Sequence, residues 1–383
     1  MSISRATRSL LIEFTKSLFS NIEVKMQISD NELKSFYALL TPRIEADLAA
    51  WYGSDAHLIA EPTFHPRPWS YFFRYRIQMG DSRERAVLAK IRHIENMNVS
   101  ESMRDTKMRE EMKDEYESLV KIRDIFTHAE DAERFSTIRQ LAFYEDLNVL
   151  VMEEADIRTL KSNFQKPVMW IEGNARRIFE SHLELTGQWL RVFHDQIGDA
   201  HDGPFFSEAF YQRAQENLQR IRPVYGKNVE SLQSMVRMFY DQYKNKTLPY
   251  RITHDNFSLA NVFVTGDEKI CSFDPHNKPG SIYIDIAKFI VDMETCAVQV
   301  STFGMSIPPS RLKKFNAAFL RGYFRSEPVD FHALNLYRLI YLLEKWDDNE
   351  EKVLLAGAAK KILYGIAALP MRRYFSKLVD RQI

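Results

Sequence analysis

Polar residues that could bind a metal ion interrupt a largely helical stretch of the sequence between Tyr250 and Asp285. Asn261 stands directly before a short apolar run at 262–264, and Asp274 follows a second run at 270–273. A carboxamide and a carboxylate held at the ends of neighbouring strands can chelate Mg²⁺, which prefers oxygen ligands. Asn261 and Asp274 therefore have side chains that are chemically able to hold a divalent cation.

The patterns on either side predict the elements that must position these residues. Alternating apolar residues at 71–79 and a second apolar run at 86–91 predict a β-hairpin around Gly80. Apolar residues at helical spacing predict a helix near 103–122, and further short runs lie around Leu141 and at 149–152. The first 60 residues and most of the chain after Ala155 have helical periodicity. The later helix candidates are 175–194, 207–220, 228–244, 311–324, 333–346 and 352–380.

Composition narrows the class of protein. The 383 residues include 52 basic and 52 acidic ones, so the basic surplus typical of nucleic-acid-binding proteins is missing. Cys271 and Cys296 are too few for a disulfide framework in a chain of this length. No apolar run approaches the roughly 18 residues of a membrane-spanning helix. We therefore expect a cytoplasmic protein without nucleic-acid partners, whose apolar N-terminal residues at 10–22 form a helix packed on the protein.

Three motifs in order carry a resemblance to a known superfamily. The interruption runs from His254 through Asn256 to Asn261, then to Asp274, then to Asp285-Ile286-Ala287. It resembles the aminoglycoside phosphotransferase and choline kinase-like superfamily, whose loop reads His-x-Asp-x-x-x-x-Asn before a strand ending in a metal-binding Asp and a downstream Asp-Leu-Ala. The resemblance covers about residues 65–300. It implies an α+β, bilobal protein kinase-like fold with a small β-rich N-lobe and a large helical C-lobe.

The same resemblance implies roles for further residues. Lys90 is similar to the strand lysine that contacts the α- and β-phosphates of ATP, and Glu115 to the helix glutamate that pairs with it, with Glu111 and Glu117 as fallback candidates. Backbone groups near Glu154 and Ala155 would bind the adenine edge. No glycine-rich loop precedes Lys90, so Ser70 is the candidate for the phosphate turn. His194, at the end of a long helix, is expected to have a packing role. We expect His254 to organise the loop and Asp285 to hold the loop in place.

The loop departs from the superfamily at one position. Alignment on Asn261 places Asn256 where the catalytic base is an aspartate, and a carboxamide cannot accept a proton. Three explanations stay open: Asp255 acts as the base in a shifted loop, the chain is a natural pseudokinase, or the residue was substituted. The catalytic candidates are accordingly Asp255, Asn256, Asn261 and Asp274.

The resemblance implies an ATP- and Mg²⁺-dependent phosphotransferase acting on a hydroxyl of a small molecule. We expect a helical extension at 1–60, a nucleotide-binding N-lobe at 61–155 and a helical C-lobe at 156–383 with the catalytic loop and the acceptor site. Sugars, amino sugars, amino alcohols and nucleosides are all open as acceptors, and the neutral net charge slightly favours an unmodified sugar. One alternative is a catalytically silent nucleotide-binding scaffold. Another is a helical interaction protein.

Overall fold

The computed structural model describes residues 28–67, 69–80, 83–94, 97–128, 133–154, 157–166, 173–226, 229–302, 308–355, 372, 373 and 376. Its internal contacts divide the chain into two compact units, residues 1–157 and 158–383. The predicted helix at 10–22 and Ala155, a candidate for the adenine edge, lie outside the described residues.

The first unit is built on an antiparallel sheet. The strands of the unit are β1 (His57–Leu58), β2 (Thr63–Arg67), β3 (Ser70–Gln78), β4 (Glu84–Arg92), β5 (Phe135–Thr137), β6 (Gln140–Tyr144) and β7 (Val149–Glu153), and the helices are α1 (Asp30–Tyr52), α2 (Val99–Arg104) and α3 (Thr106–His128), with a 3-10 turn at Glu145–Leu147. In the sheet the strands follow the order β1-β3-β4-β7-β6, with β2 paired to β3. The predicted hairpin is β3–β4.

The two faces of this sheet pack against different helices. Alternate side chains of a strand point to opposite faces, and one face of β3 and β4 packs on α1 in a core that includes Phe36, Phe73 and Ala89. The rings of Phe36 and Phe73 lie 4.3 Å apart. The helix α1, which belongs to the helical extension predicted at 1–60, therefore covers one side of the sheet. The opposite side carries Lys90 against α3.

The second unit is mostly helical, with short strands placed between the helices. The strand β8 (Ile157–Thr159) stands at its start. The helices are α4 (Leu160–Phe164), α5 (Gly173–Gln196), α6 (Glu208–Tyr225), α7 (Val229–Tyr243), α8 (Tyr283–Thr302), α9 (Pro309–Phe324) and α10 (Phe331–Leu355), and the strands are β9 (His201–Pro204), β10 (Thr247–Thr253), β11 (Val262–Thr265), β12 (Ile270–Ser272) and β13 (Lys278–Ser281). The strands β9, β10 and β13 form one antiparallel sheet, and β11 and β12 form a hairpin.

Most predicted elements of the second unit are confirmed, with one correction at its end. The break predicted between 333–346 and 352–380 is wrong because α10 runs without interruption from Phe331 to Leu355. Its acidic segment at 347–351 continues the helix, where Glu350 accepts hydrogen bonds from Trp346 and Arg372. Within the described residues, no helix combines the length and the apolar character needed to cross a membrane.

A close crossing of α5 and α9 fixes the helical framework. At Gly322 an added Cβ would overlap the backbone of Glu184, and at Gly187 it would overlap the backbone of Phe319 and Tyr323. Backbone cannot give way as a flexible side chain can, so glycine is required at both positions. The crossing brings Tyr323 of α9 close to the end of α5.

We predict that Gly322→Ala lowers the free energy of unfolding by about 1–3 kcal/mol or more, because the methyl group has to push two helices apart. Denaturant unfolding of the full chain measures the change. Gly266→Ala is the matched control, since nothing lies within 4 Å of a Cβ at that turn position. Equal stability of Gly322→Ala and the parent chain would contradict the packing described.

Candidate active site

A buried ion pair connects β4 and α3 in the first unit. Lys90 Nζ lies 2.6 and 2.8 Å from the two carboxylate oxygens of Glu115, and the side chains are only 4% and 2% exposed. Glu115 lies on the buried stripe of α3 with Met112 and Leu119, which explains why it, rather than the fallback candidates, meets Lys90. A lysine held this way has a fixed position from which to contact phosphates.

Arg92 is a neighbour of this pair that the sequence reasoning missed. Its Nε lies 3.2 Å from Glu115 Oε2, and it is paired across the β3–β4 ladder with Ser70. Glu115 thus pairs with two cations, Lys90 and Arg92, and Arg92 Nη1 also lies 3.5 Å from Glu111 Oε2. The contact between Arg92 and Glu115 is visible only in the folded structure, because Arg92 is one of many basic residues in the sequence.

Ser70 begins β3 at the end of a tight hairpin. Arg67 and Ser70 face each other across the β2–β3 ladder, so only two residues form the turn. The hydroxyl of Ser70 donates to the carbonyl of Trp69 at 2.7 Å. Its role in phosphate binding stays a prediction.

Glu154 follows β7 with both its backbone and its side chain engaged. Its N–H donates to the carbonyl of Ala86 at 2.8 Å, and its carboxylate accepts from Nε and Nη2 of Arg74 at 2.8 and 2.7 Å. An adenine bound at Glu154 would therefore use its carbonyl group rather than its N–H.

A single buried carboxylate holds the loop in the second unit. The side chain of Asp285, at the start of α8, is fully buried, and it accepts from the N–H groups of His254 and Asp255 at 2.6 and 2.8 Å. It also accepts from His194 Nε2 at 2.9 Å. A buried charge is tolerated when its oxygens receive several hydrogen bonds, and here two of them fix the backbone of the loop.

His194 does more than pack, because it lies between Asp285 and Tyr323. Its Nδ1 lies 2.8 Å from the hydroxyl of Tyr323. Since a carboxylate can only accept, Nε2 donates to Asp285, which leaves Nδ1 to accept from the tyrosine hydroxyl. Burial raises the pKa of Tyr323 well above its ordinary value, so its hydroxyl keeps the proton that it donates. The α5–α9 crossing is thereby connected to the loop.

His254 organises the loop from inside. It is fully buried, with its Nε2 2.8 Å from the hydroxyl of Ser272, and its carbonyl accepts from the N–H of His276 at 2.9 Å. Burial lowers the pKa of His254 to about 4, so the ring is neutral at pH 7.

The structure brings Asn256, Asn261 and Asp274 together. Asn261 Nδ2 donates to the carbonyl of Asn256 at 2.9 Å, and Asn256 Nδ2 donates to Asp274 Oδ2 at 2.6 Å. The first bond turns the oxygen of the Asn261 carboxamide away from the Asn256 carbonyl. Asp274 has a left-handed backbone with φ 59°, a costly conformation that is concentrated at functional sites.

These residues fit a divalent cation of the Mg²⁺ type. A carboxamide oxygen and a carboxylate are hard ligands, and Mg²⁺ in phosphoryl-transfer sites is held by a few such groups together with phosphates and waters. The described part of the chain contains no group of three or more His, Cys, Asp and Glu side chains that could hold a metal ion. The fit therefore depends on Asn261 and Asp274.

Asp255 points to a different set of partners. Its carboxylate lies 2.8 Å from Lys278 Nζ and 2.5 Å from Lys288 Nζ, and His276 Nδ1 lies 3.9 Å away. Burial alone would raise the pKa of Asp255, but the nearby His276, the charge of Lys288 and the hydrogen bonds from Lys278 and Lys288 outweigh it and lower the pKa. A carboxylate held in this state is a weak proton acceptor, which disfavours Asp255 as the base of a shifted loop.

Comparison with known proteins supports the fold. The choline kinase LicA from Streptococcus pneumoniae is similar, with a TM-score of 0.50 and 10% identity over 90% of this chain and 99% of its own. The amicoumacin kinase hAmiN, solved in complex with AMP-PNP, Ca²⁺ and Ami, has a TM-score of 0.50 and 13% identity over 92% of this chain and 96% of its own. No protein-family model and no curated protein matches the chain. The chain has the α+β kinase-like fold of these two kinases, as the sequence predicts.

We predict that Asp285→Asn loosens the loop. One carboxylate oxygen becomes an amide group that cannot accept, so a loop N–H loses its partner at a cost of about 1–3 kcal/mol. Hydrogen exchange should show faster exchange of the amides of His254 and Asp255, by about 10-fold or more.

Tyr323→Phe tests the same chain of bonds without removing a charge, and a smaller acceleration at the same two amides is expected. Asp241→Asn is the control, because its side chain is 54% exposed and pairs with Lys244 on the surface. Unchanged exchange at His254 and Asp255 in Asp285→Asn would contradict the anchoring role.

Proposed function

We propose that this protein transfers the γ-phosphoryl group of ATP to a hydroxyl group of a small molecule. The observation that carries the proposal is the cluster in which Asn256 and Asn261, on a loop anchored by Asp285, meet Asp274 after β12. The fold, shared with choline and amicoumacin kinases at TM-scores of 0.50, supports it.

The residues of the second unit take their roles from this geometry. Asn261 and Asp274 would hold Mg²⁺, which when bound neutralises charge on the phosphates during transfer. Asn256 lies beside Asp274 and would orient the acceptor hydroxyl by hydrogen bonding. Phosphoryl transfer depends mainly on positioning and electrostatics, so an asparagine here is compatible with slow turnover.

The first unit would supply the nucleotide contacts. Lys90, fixed by Glu115, and Arg92 place two cations on one face of the sheet. These two cations would contact the α- and β-phosphates, whereas Glu154 would contribute its backbone carbonyl to the adenine. Ser70 and Ala155 remain candidates for the phosphate turn and the adenine edge.

Nucleotide binding with and without Mg²⁺ tests this proposal. We expect ATP and ADP to raise the thermal midpoint of the full chain by mass action, and more strongly when Mg²⁺ is present. In Asp274→Ala the Mg²⁺-dependent part of the shift should be lost, while Asp267→Ala, which changes an exposed acid in the β11–β12 turn, should keep it. No shift with millimolar nucleotide, or an unchanged Mg²⁺ effect in Asp274→Ala, would contradict the proposal.

A catalytically silent scaffold is the second candidate, because Asn256 stands at the base position. The two candidates differ in their response to Asn256→Asp. The new carboxylate would lie next to that of Asp274, where the amide nitrogen is now 2.6 Å from Oδ2. Two carboxylates this close repel each other unless a cation or a proton lies between them.

We therefore predict that Asn256→Asp is less stable than the parent without Mg²⁺ and gains more stability when Mg²⁺ and ATP are added. If the chain is an enzyme, its ATP turnover should rise by about 10²- to 10⁴-fold. Asn163→Asp makes the same charge change beside Lys166 and serves as the control. Nucleotide binding without turnover in both the parent and Asn256→Asp would favour the scaffold.

A further inference from the structure

A cluster of basic side chains surrounds Asp255, directly before the base position. Lys278, at the start of β13, and Lys288, on α8, reach its carboxylate from two different elements. His276 lies 3.9 Å from the same carboxylate. The carboxylate of Asp255 thus faces two ammonium groups.

The two lysines have different surroundings. Lys288 is 21% exposed, and its Nζ contacts both Oδ1 and the backbone oxygen of Asp255 at 2.5 and 2.6 Å. Its ammonium also lies 5.1 Å from the centre of the Tyr341 ring. Lys288 is therefore sufficient to balance Asp255 and is held among fixed partners.

Lys278 is the more exposed of the two lysines. Its side chain is 64% exposed, and its Nζ lies 2.8 Å from Asp255 Oδ2. An ammonium group has three N–H donors, so one bond to Asp255 leaves donors for an incoming anion. The contrast in exposure separates a lysine that fixes the loop from one that can meet a ligand.

The backbone fixes the position of Lys278 beside the loop. Lys278 pairs with Thr253 in the β10–β13 ladder, and the hydroxyl of Thr253 donates to the carbonyl of Lys278 at 2.9 Å. Two residues before Lys278, the N–H of His276 donates to the carbonyl of His254. The charge of Lys278 is thereby held next to the loop that carries Asn256, where the acceptor hydroxyl has to lie.

From this juxtaposition we infer that the acceptor carries an anionic group, a carboxylate or a phosphate, which binds Lys278 beside the hydroxyl that receives the phosphoryl group. This inference rests on the proposed function and deepens it. A cationic acceptor would meet a like charge at Lys278. The inference differs from the sequence-based preference for an unmodified sugar, which rests on the neutral net charge of the whole chain.

Calorimetric titration of the full chain without nucleotide tests the inference independently of turnover. Each anionic probe is compared with its neutral partner: D-glycerate with glycerol, and glucose 6-phosphate with glucose. Glucosamine is the cationic probe, and all titrations use the same ionic strength. We expect at least one anionic member to bind about 10-fold or more tightly than its neutral partner, since hydrogen bonds to charged groups are among the stronger ones.

The variants locate the site. Lys278→Met should weaken binding of the anion by about 10-fold or more, and Lys278→Arg should retain most of it because the charge is kept. Lys269→Met is the matched control, since Lys269 also pairs with an aspartate, Asp267, but at the far turn of the β11–β12 hairpin.

Three outcomes would overturn the inference: no binding of either anion, tighter binding of the neutral or cationic members, or equal anion affinity in Lys278→Met and the parent. The result is separable from that of the proposed function. Anion binding through Lys278 without any effect of ATP and Mg²⁺ would refute the phosphotransferase while the anion site stands. Nucleotide binding without anion binding would refute the acceptor class alone.

Discussion

The arrangement of the candidate active site depends on the buried carboxylate of Asp285. It accepts two N–H groups of the loop and one from His194, and without these bonds a buried charge would be strongly unfavourable. The bonds hold a loop in which Asp255 has a left-handed backbone with φ 58°. Such a conformation costs free energy and persists only where the surroundings enforce it.

The helical framework places this carboxylate through side chains at some distance from the loop. The glycines at the α5–α9 crossing allow Tyr323 to reach His194, which in turn orients towards Asp285. Stability and site geometry are therefore coupled in the second unit. In the first unit the corresponding coupling is the Lys90–Glu115 pair, where a buried charge is again tolerated because its partner comes from another element.

Sequence patterns predicted the parts of this structure that depend on local periodicity and on motif order. The β3–β4 hairpin and the helix α5 follow from alternation and helical spacing, and the order of the loop motifs predicted the fold. The strands β9 and β13 are short and contain glycine and proline, so they carry no alternating apolar signal. The pairing of Asp255 with Lys278 and Lys288 arises from residues 23 and 33 positions apart, and no local pattern reports it.

The most direct test of the central claim is the position of the metal ion. Crystals of the full chain grown with Mn²⁺ and a non-hydrolysable ATP analogue would locate the ion by its anomalous scattering. We expect an ion about 2.1–2.3 Å from the carboxamide oxygen of Asn261 and a carboxylate oxygen of Asp274, with the loop still anchored by Asp285. An ion bound elsewhere, or nucleotide bound with no ion at these two residues, would contradict the account.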